Sequence, residues 1–136
     1  MATARPYSKH QVRSLISDGG DLDCIDLRGC DLSGMDFRGL SLRGAKMGDA
    51  NLVSANLRGC DLAGASLWHA NLRNAILDYA NLDGTDLDFA NLEGVTMRGA
   101  RIRKSTFPLG RVSMDEIQIS VSNGGKLHMA DEVEEE

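Results

Sequence analysis

Aromatic side chains are nearly absent: one Trp, two Tyr and three Phe make up 4% of the 136 residues, too few for a core built on large rings. Long apolar runs are missing as well. No stretch reaches the roughly 18 consecutive apolar residues of a membrane-spanning helix, and the opening MATARPYSKH lacks the apolar segment of a secretory signal. These absences predict a cytoplasmic protein with no membrane partner. The three cysteines, odd in number and without metal-ligand spacing, exclude a disulfide framework and fit free thiols in a reducing compartment. What is present, 42% apolar residues with 15 glycines, suits one domain with a narrow interior of Leu and Ala and many tight corners.

The formal charge of -5 is unevenly placed. Between Asp21 and Phe107 there are 12 acids and 10 bases, whereas Asp131 to Glu136 holds five acids. Such a run repels itself and has little to bury, so residues 131–136 are expected to form an acidic disordered tail.

Every fifth residue from Leu22 to Phe107 is a bulky apolar side chain, with no slip of register, and Val112 and Ile117 continue the phase. Period five matches neither an amphipathic helix nor a half-buried strand, so the chain must turn between successive hydrophobes. Two residues before each bulky group the sequence prefers something small, such as Cys30, Ala45, Cys60, Ala70 or Ala90. One residue before it stand short polar groups able to bond nearby backbone, among them Asp31, Asn51, Asn71 and Asn91. Two residues after it Gly is common, as at Gly29, Gly44, Gly64 and Gly99, where a corner needs a permissive backbone. Short extended segments and corners therefore alternate along a repeat protein.

Through Ala50-Asn51-Leu52, Ala55-Asn56-Leu57, Ala70-Asn71-Leu72, Ala80-Asn81-Leu82 and Ala90-Asn91-Leu92 the chain resembles the pentapeptide-repeat proteins. The resemblance implies an all-β fold, a right-handed quadrilateral β-helix with four pentapeptides, and therefore 20 residues, per coil. Residues 20 apart would then stack in four interior columns: Leu22-Leu42-Leu62-Leu82-Ile102, Leu27-Met47-Leu67-Leu87-Phe107, Leu32-Leu52-Leu72-Leu92 and Phe37-Leu57-Leu77-Met97. At ~4.8 Å per coil the rod would stand on the order of 22 Å tall. Its boundaries are expected at residues 20–109. Within residues 1–19, Ser8 with Gln11 reads as a capping box ahead of Val12, Leu15 and Ile16, and Gly19-Gly20 stops the short capping helix. In residues 110–130, Ile117, Ile119 and Val121 alternate with polar residues before the turn signal Asn123-Gly124-Gly125, which predicts a C-terminal cap in the form of a hairpin.

No catalytic, metal or cofactor site emerges. Cys30 and Cys60 fill the small inward position, Cys24 sits at a corner, and His10, His69 and His128 fall in three unrelated contexts. One surface feature stands out. Trp68 follows a core Leu, where a side chain points outward, and His69 takes the corner after it; one coil on, Asp88 and Phe89 repeat the arrangement. The residues expected to make protein contacts are therefore Trp68, His69, Asp88 and Phe89. Charges alternate in bands, with Arg38, Arg58 and Arg98 aligned around Asp78, and no wall offers the sustained basic surface of a nucleic-acid binder. A non-enzymatic structural or protein-interaction module follows, with an unidentified protein partner and a candidate homodimer contact in the C-terminal segment. The resemblance supplies the alternative, a DNA mimic that binds or inhibits DNA gyrase.

Overall fold

A pentad that buries one bulky group and one small group leaves almost no length for a strand before the next bend. The computed structural model, which describes residues 6–131, accordingly has thirteen isolated parallel bridges and no extended ladder between Asp26 and Thr106. Every bridge joins residues 20 apart, from Asp26 with Lys46 to Asp86 with Thr106. Each coil donates to the next: the Leu67 N–H bonds the Asp86 carbonyl at 2.7 Å, and the Met47 N–H bonds the Ser66 carbonyl at 2.8 Å. The result is a β-helical solenoid that turns every five residues.

The corners are built by two devices in sequence. The polar residue before the bulky one accepts the backbone N–H two positions on, as Asn51 Oδ1 does from Val53 at 3.1 Å and Asp86 Oδ1 from Asp88 at 2.9 Å. The residue two positions after the bulky one then adopts the left-handed conformation at most corners, including Gly29 (φ 69°), Gly64 (φ 68°) and Gly99 (φ 68°). Eight non-glycine residues also carry a positive φ, among them Asp49, His69, Tyr79 and Phe89.

Inside, the four columns are continuous. Leu62, Leu67, Leu72 and Leu77 are all 0% exposed, and the small inward residues from Cys30 to Ala100 are buried beside them. Two polar groups at that inward position bond a carbonyl of the previous coil: Thr85 Oγ1 donates to Leu62 O at 2.8 Å and Cys60 Sγ to Phe37 O at 2.7 Å. Ile102, at the end of its column, is half-buried.

Both ends of the coil stack are covered. Helix α1, Lys9–Ser17, has the expected capping box between Ser8 and Gln11, and its buried Val12 joins the core of the first coil. The C-terminal cap differs from the expected hairpin: residues Met114–Asn123 form a second helix, α2. Ser113 accepts the Glu116 N–H as N-cap, Asp115 and Glu116 favour the first turn electrostatically, and Gly124 ends the helix at φ 78°. The apparent alternation of Ile117, Ile119 and Val121 resolves into a helical face, with Ile117 and Ser120 buried and Ile119 exposed. Ile117 thus keeps the five-residue phase by coincidence, on a backbone that has left the coil.

The end of α2 and the chain that returns across the last coil after it supply acceptors that a further coil would have given. Within the stack a corner N–H bonds the carbonyl 19 positions later, as Gly59 does with Asp78. The Gly94 N–H instead bonds Leu127 O and the Gly99 N–H bonds Val121 O, both at 2.8 Å, while Leu127 N–H returns a bond to Val95 O at 2.9 Å. The exposed edge of the solenoid is closed in this way. The expected acidic tail lies, except for Asp131, outside the described residues.

Candidate protein-interaction surface

The corner that begins at Gly29 carries Asp49, His69 and Phe89 in successive coils, all at φ 59–60° or within two degrees of it. Trp68 stands on the adjoining wall, pinned because its flanking backbone is hydrogen-bonded into the stack: Asp49 N–H to Trp68 O at 3.0 Å and His69 N–H to Asp88 O at 2.9 Å. The structure brings the expected aromatic residues together. The Trp68 and Phe89 rings meet edge to face with centroids 5.9 Å apart, and the His69 ring lies 5.3 Å from Trp68 at a tilt. All three remain open to solvent, with Trp68 43% and Phe89 70% exposed. Asp88, beside them, is half-buried.

Sequence reasoning missed two parts of this surface. Asp49 Oδ1 meets His69 Nδ1 at 2.5 Å and fixes the imidazole over the lower coil. Leu109, 20 residues after Phe89 and 57% exposed, lines the same groove as Phe89. This groove, of about 690 Å³, runs between the aromatic corner and the returning C-terminal segment and is walled by Phe89, Phe107, Pro108, Leu109, Arg111 and Met129. Adding 20 to Phe89 would have found Leu109, but the far wall depends on how residues 124–130 fold back.

Many of the other surface charges pair with one another. Arg28 holds Asp26 with two side-chain bonds, and Arg38 holds Asp36 likewise. The Arg28 guanidinium, helped by its own backbone N–H, lowers the Asp26 carboxyl to about 2. Arg43 reaches Asp61 at 2.8 Å and Arg101 reaches Asp83 at 2.6 Å. In the expected Arg38, Arg58, Asp78, Arg98 column, Asp78 takes an N–H from Arg98 and lies 3.9 Å from Arg58, whose guanidinium stacks 4.6 Å over Tyr79. Burial pushes the Cys60 thiol up to about 11, and Cys30 is buried too, whereas Cys24 is exposed. His128 bonds Glu93 at 3.1 Å. Among the described residues no three His, Cys, Asp or Glu side chains converge as metal ligands, and no helix is long and apolar enough to cross a membrane.

Twenty-residue coils with one buried bulky residue per pentad define a β-helical repeat protein. The sequence matches the family of pentapeptide repeats in eight copies, over residues 21–59, 55–94 and 77–107, and the chain belongs to that family. Its fold is similar to Rfr23, a pentapeptide repeat protein from the cyanobacterium Cyanothece 51142, with 35% identity and a TM-score of 0.60. That match covers 60% of this chain and spans 56% of the other. A pentapeptide repeat protein of the Arabidopsis thaliana thylakoid lumen is similar over 73% of this chain and 85% of its own, with 26% identity and a TM-score of 0.55. Both place the coils in the right-handed β-helix class. No curated protein matches the sequence.

Proposed function

We propose that this chain is a non-enzymatic interaction module that presents a rigid wall to a protein partner, with Trp68, His69, Asp88 and Phe89 as the contact residues. One observation carries the reading: in a chain with six aromatic residues, two of them and an imidazole pack on each other while staying exposed. Tryptophan in such a position supplies a large, rigid contact area at little entropic cost. The interior has no room for a substrate, because Leu columns fill it. Trp68→Ala removes no atom from those columns, so it should leave the fold intact and weaken partner binding by about 2 kcal/mol or more. Pull-downs from the native host, paired with melting curves of both proteins, test this. Loss of fold in the variant defeats the outward assignment, and unchanged binding by a folded variant defeats the interface.

The alternative, a DNA-mimicking inhibitor of gyrase, calls for uninterrupted acidic stripes. Arg28, Arg38, Arg43 and Arg101 instead sit on the carboxylates that would form them. Inhibition of gyrase supercoiling by the purified protein would reverse this preference. Self-association through the C-terminal segment has one feature in its favour, the exposed Met114 and Ile119 on α2, and analytical ultracentrifugation decides it.

A further inference from the structure

We infer that the partner presents a basic, arginine- or lysine-bearing segment, whose cation sits between the Trp68 and Phe89 rings and the carboxylates of Asp86 and Asp88. This inference rests on the reading of that corner as a protein interface and names the chemistry it selects. Two independent features of the surface lead to it.

The first is backbone geometry. Left-handed corners favour glycine, and two of the other corners use it in coil after coil, as Gly44, Gly64 and Gly84 or as Gly39 and Gly59. Asp49, His69 and Phe89 occupy the same conformation at the aromatic corner, and a bulky ring there is strained. Tyr79, the other aromatic residue so placed, has an internal role, its ring stacked against the Arg58 guanidinium and packed close beside Gly99. Phe89 pairs with one ring among the described residues, edge to face with Trp68, and is 70% exposed. The fold gains little from Phe89, so its side chain is there for something outside the fold.

The second is charge. Asp26, Asp36, Asp61, Asp78 and Asp83 each have an arginine within 4 Å. Asp86 and Asp88 have no cationic partner among the described residues; Asp86 accepts only the Asp88 N–H and the Thr106 hydroxyl. Both belong to the coil directly after Trp68, since Ser66 bridges Asp86. On the other side of Trp68 the equivalent position of the wall is Gly48, which offers no side chain to cover the indole from that coil. The nearest bases on the wall are Lys46 and Arg28, one and two coils towards α1, and Arg28 is engaged by Asp26. Arg111, across the groove, gives its Nε to the Ala130 carbonyl. Two aromatic faces next to two uncompensated carboxylates select a guanidinium or ammonium group over an anion or a neutral chain.

Trp68 is the only tryptophan, so its fluorescence reports this corner alone. The probe is a short synthetic peptide alternating arginine and leucine, with a glutamate and leucine peptide of equal length as control. The arginine peptide should change Trp68 emission saturably and more weakly at high salt. Phe89→Gly should weaken it roughly tenfold while holding or raising the melting temperature, because the substitution relieves the left-handed corner. The double variant Asp86→Asn, Asp88→Asn keeps the amide oxygen as acceptor and should weaken it as much. Asp21→Asn with Asp23→Asn removes the same charge far from the rings and should not. Equal weakening by both double variants reduces the effect to net charge and overturns the inference, as does equal binding of the glutamate peptide. A silent arginine peptide, with native partner capture still lost in Trp68→Ala, overturns the basic segment and leaves the interface standing.

Discussion

Leu67→Ala probes the stacking directly, because its cost is set by how far the coils can close around a missing side chain. Leu67 is 0% exposed and lies in a column between Met47 and Leu87. Removing three carbons forfeits ~2.4 kcal/mol of transfer free energy, and any unfilled cavity adds to that at roughly 24 cal/mol per Å³. Collapse is restrained from both sides: the Met47 N–H holds Ser66 O at 2.8 Å and the Leu67 N–H holds Asp86 O at 2.7 Å, so neighbouring backbones cannot move inward without breaking the ladder. The cost should therefore fall in the upper part of the known range for such substitutions, about 3–5 kcal/mol. Ile102→Ala offers the contrast. Ile102 is half-buried at the end of its column, where the C-terminal segment can adjust, and about 1–2 kcal/mol is expected. Urea unfolding followed by circular dichroism measures both midpoints. A Leu67→Ala cost no larger than that of Ile102→Ala would refute the argument that the hydrogen-bonded coils hold the cavity open.

Thr85→Val keeps the shape of the buried side chain and deletes its bond to Leu62 O, which still accepts the Ala65 N–H; the expected loss is about 1 kcal/mol by the same unfolding assay. Acid should destabilise the coils between about pH 4 and pH 2, since Asp26 is lowered to about 2 by Arg28 and Asp31, Asp36 and Glu93 are lowered too. Their contribution is complete above the ordinary carboxylate range and disappears as pH falls through the lowered values; a melting temperature that rises below pH 4 contradicts it, and exposure keeps the effect of each group small. A thiol reagent at mildly alkaline pH should modify Cys24 in the folded protein, whereas Cys30 and Cys60 should react only in denaturant.

The coil register was legible because each pentad repeats the same local demands, and a bulky residue in phase has one place to go. Leu62 through Leu77 follow that rule without exception. The C-terminal helix was harder to read, since Ile117 continues the five-residue phase and Asn123-Gly124-Gly125 is as good a helix end as a hairpin turn. Its decisive signals were the caps, Ser113 and Gly124, with the ten residues Met114–Asn123 between them. Trp68, His69 and Phe89 could be placed from phase alone. Asp49 could not, because its role appears only when the His69 ring is seen to turn towards it. The groove wall at Met129 depends on the returning segment, whose bonds to Gly94 and Val95 no local pattern encodes.

A stack whose bridges all span 20 residues, with a bend every five, behaves as a counting device for insertions and duplications. Gaining a whole coil lengthens the rod and returns every later side chain to the wall it had before. Gaining one pentad leaves the interior equally apolar, yet it rotates everything downstream by a quarter turn relative to α1. The aromatic corner would then look in a new direction with no residue of it altered. Lineages of such chains can thus re-aim a recognition surface by slippage in units of five, at almost no cost to the core, and a comparison of what faces each side of α1 should reveal such quarter turns.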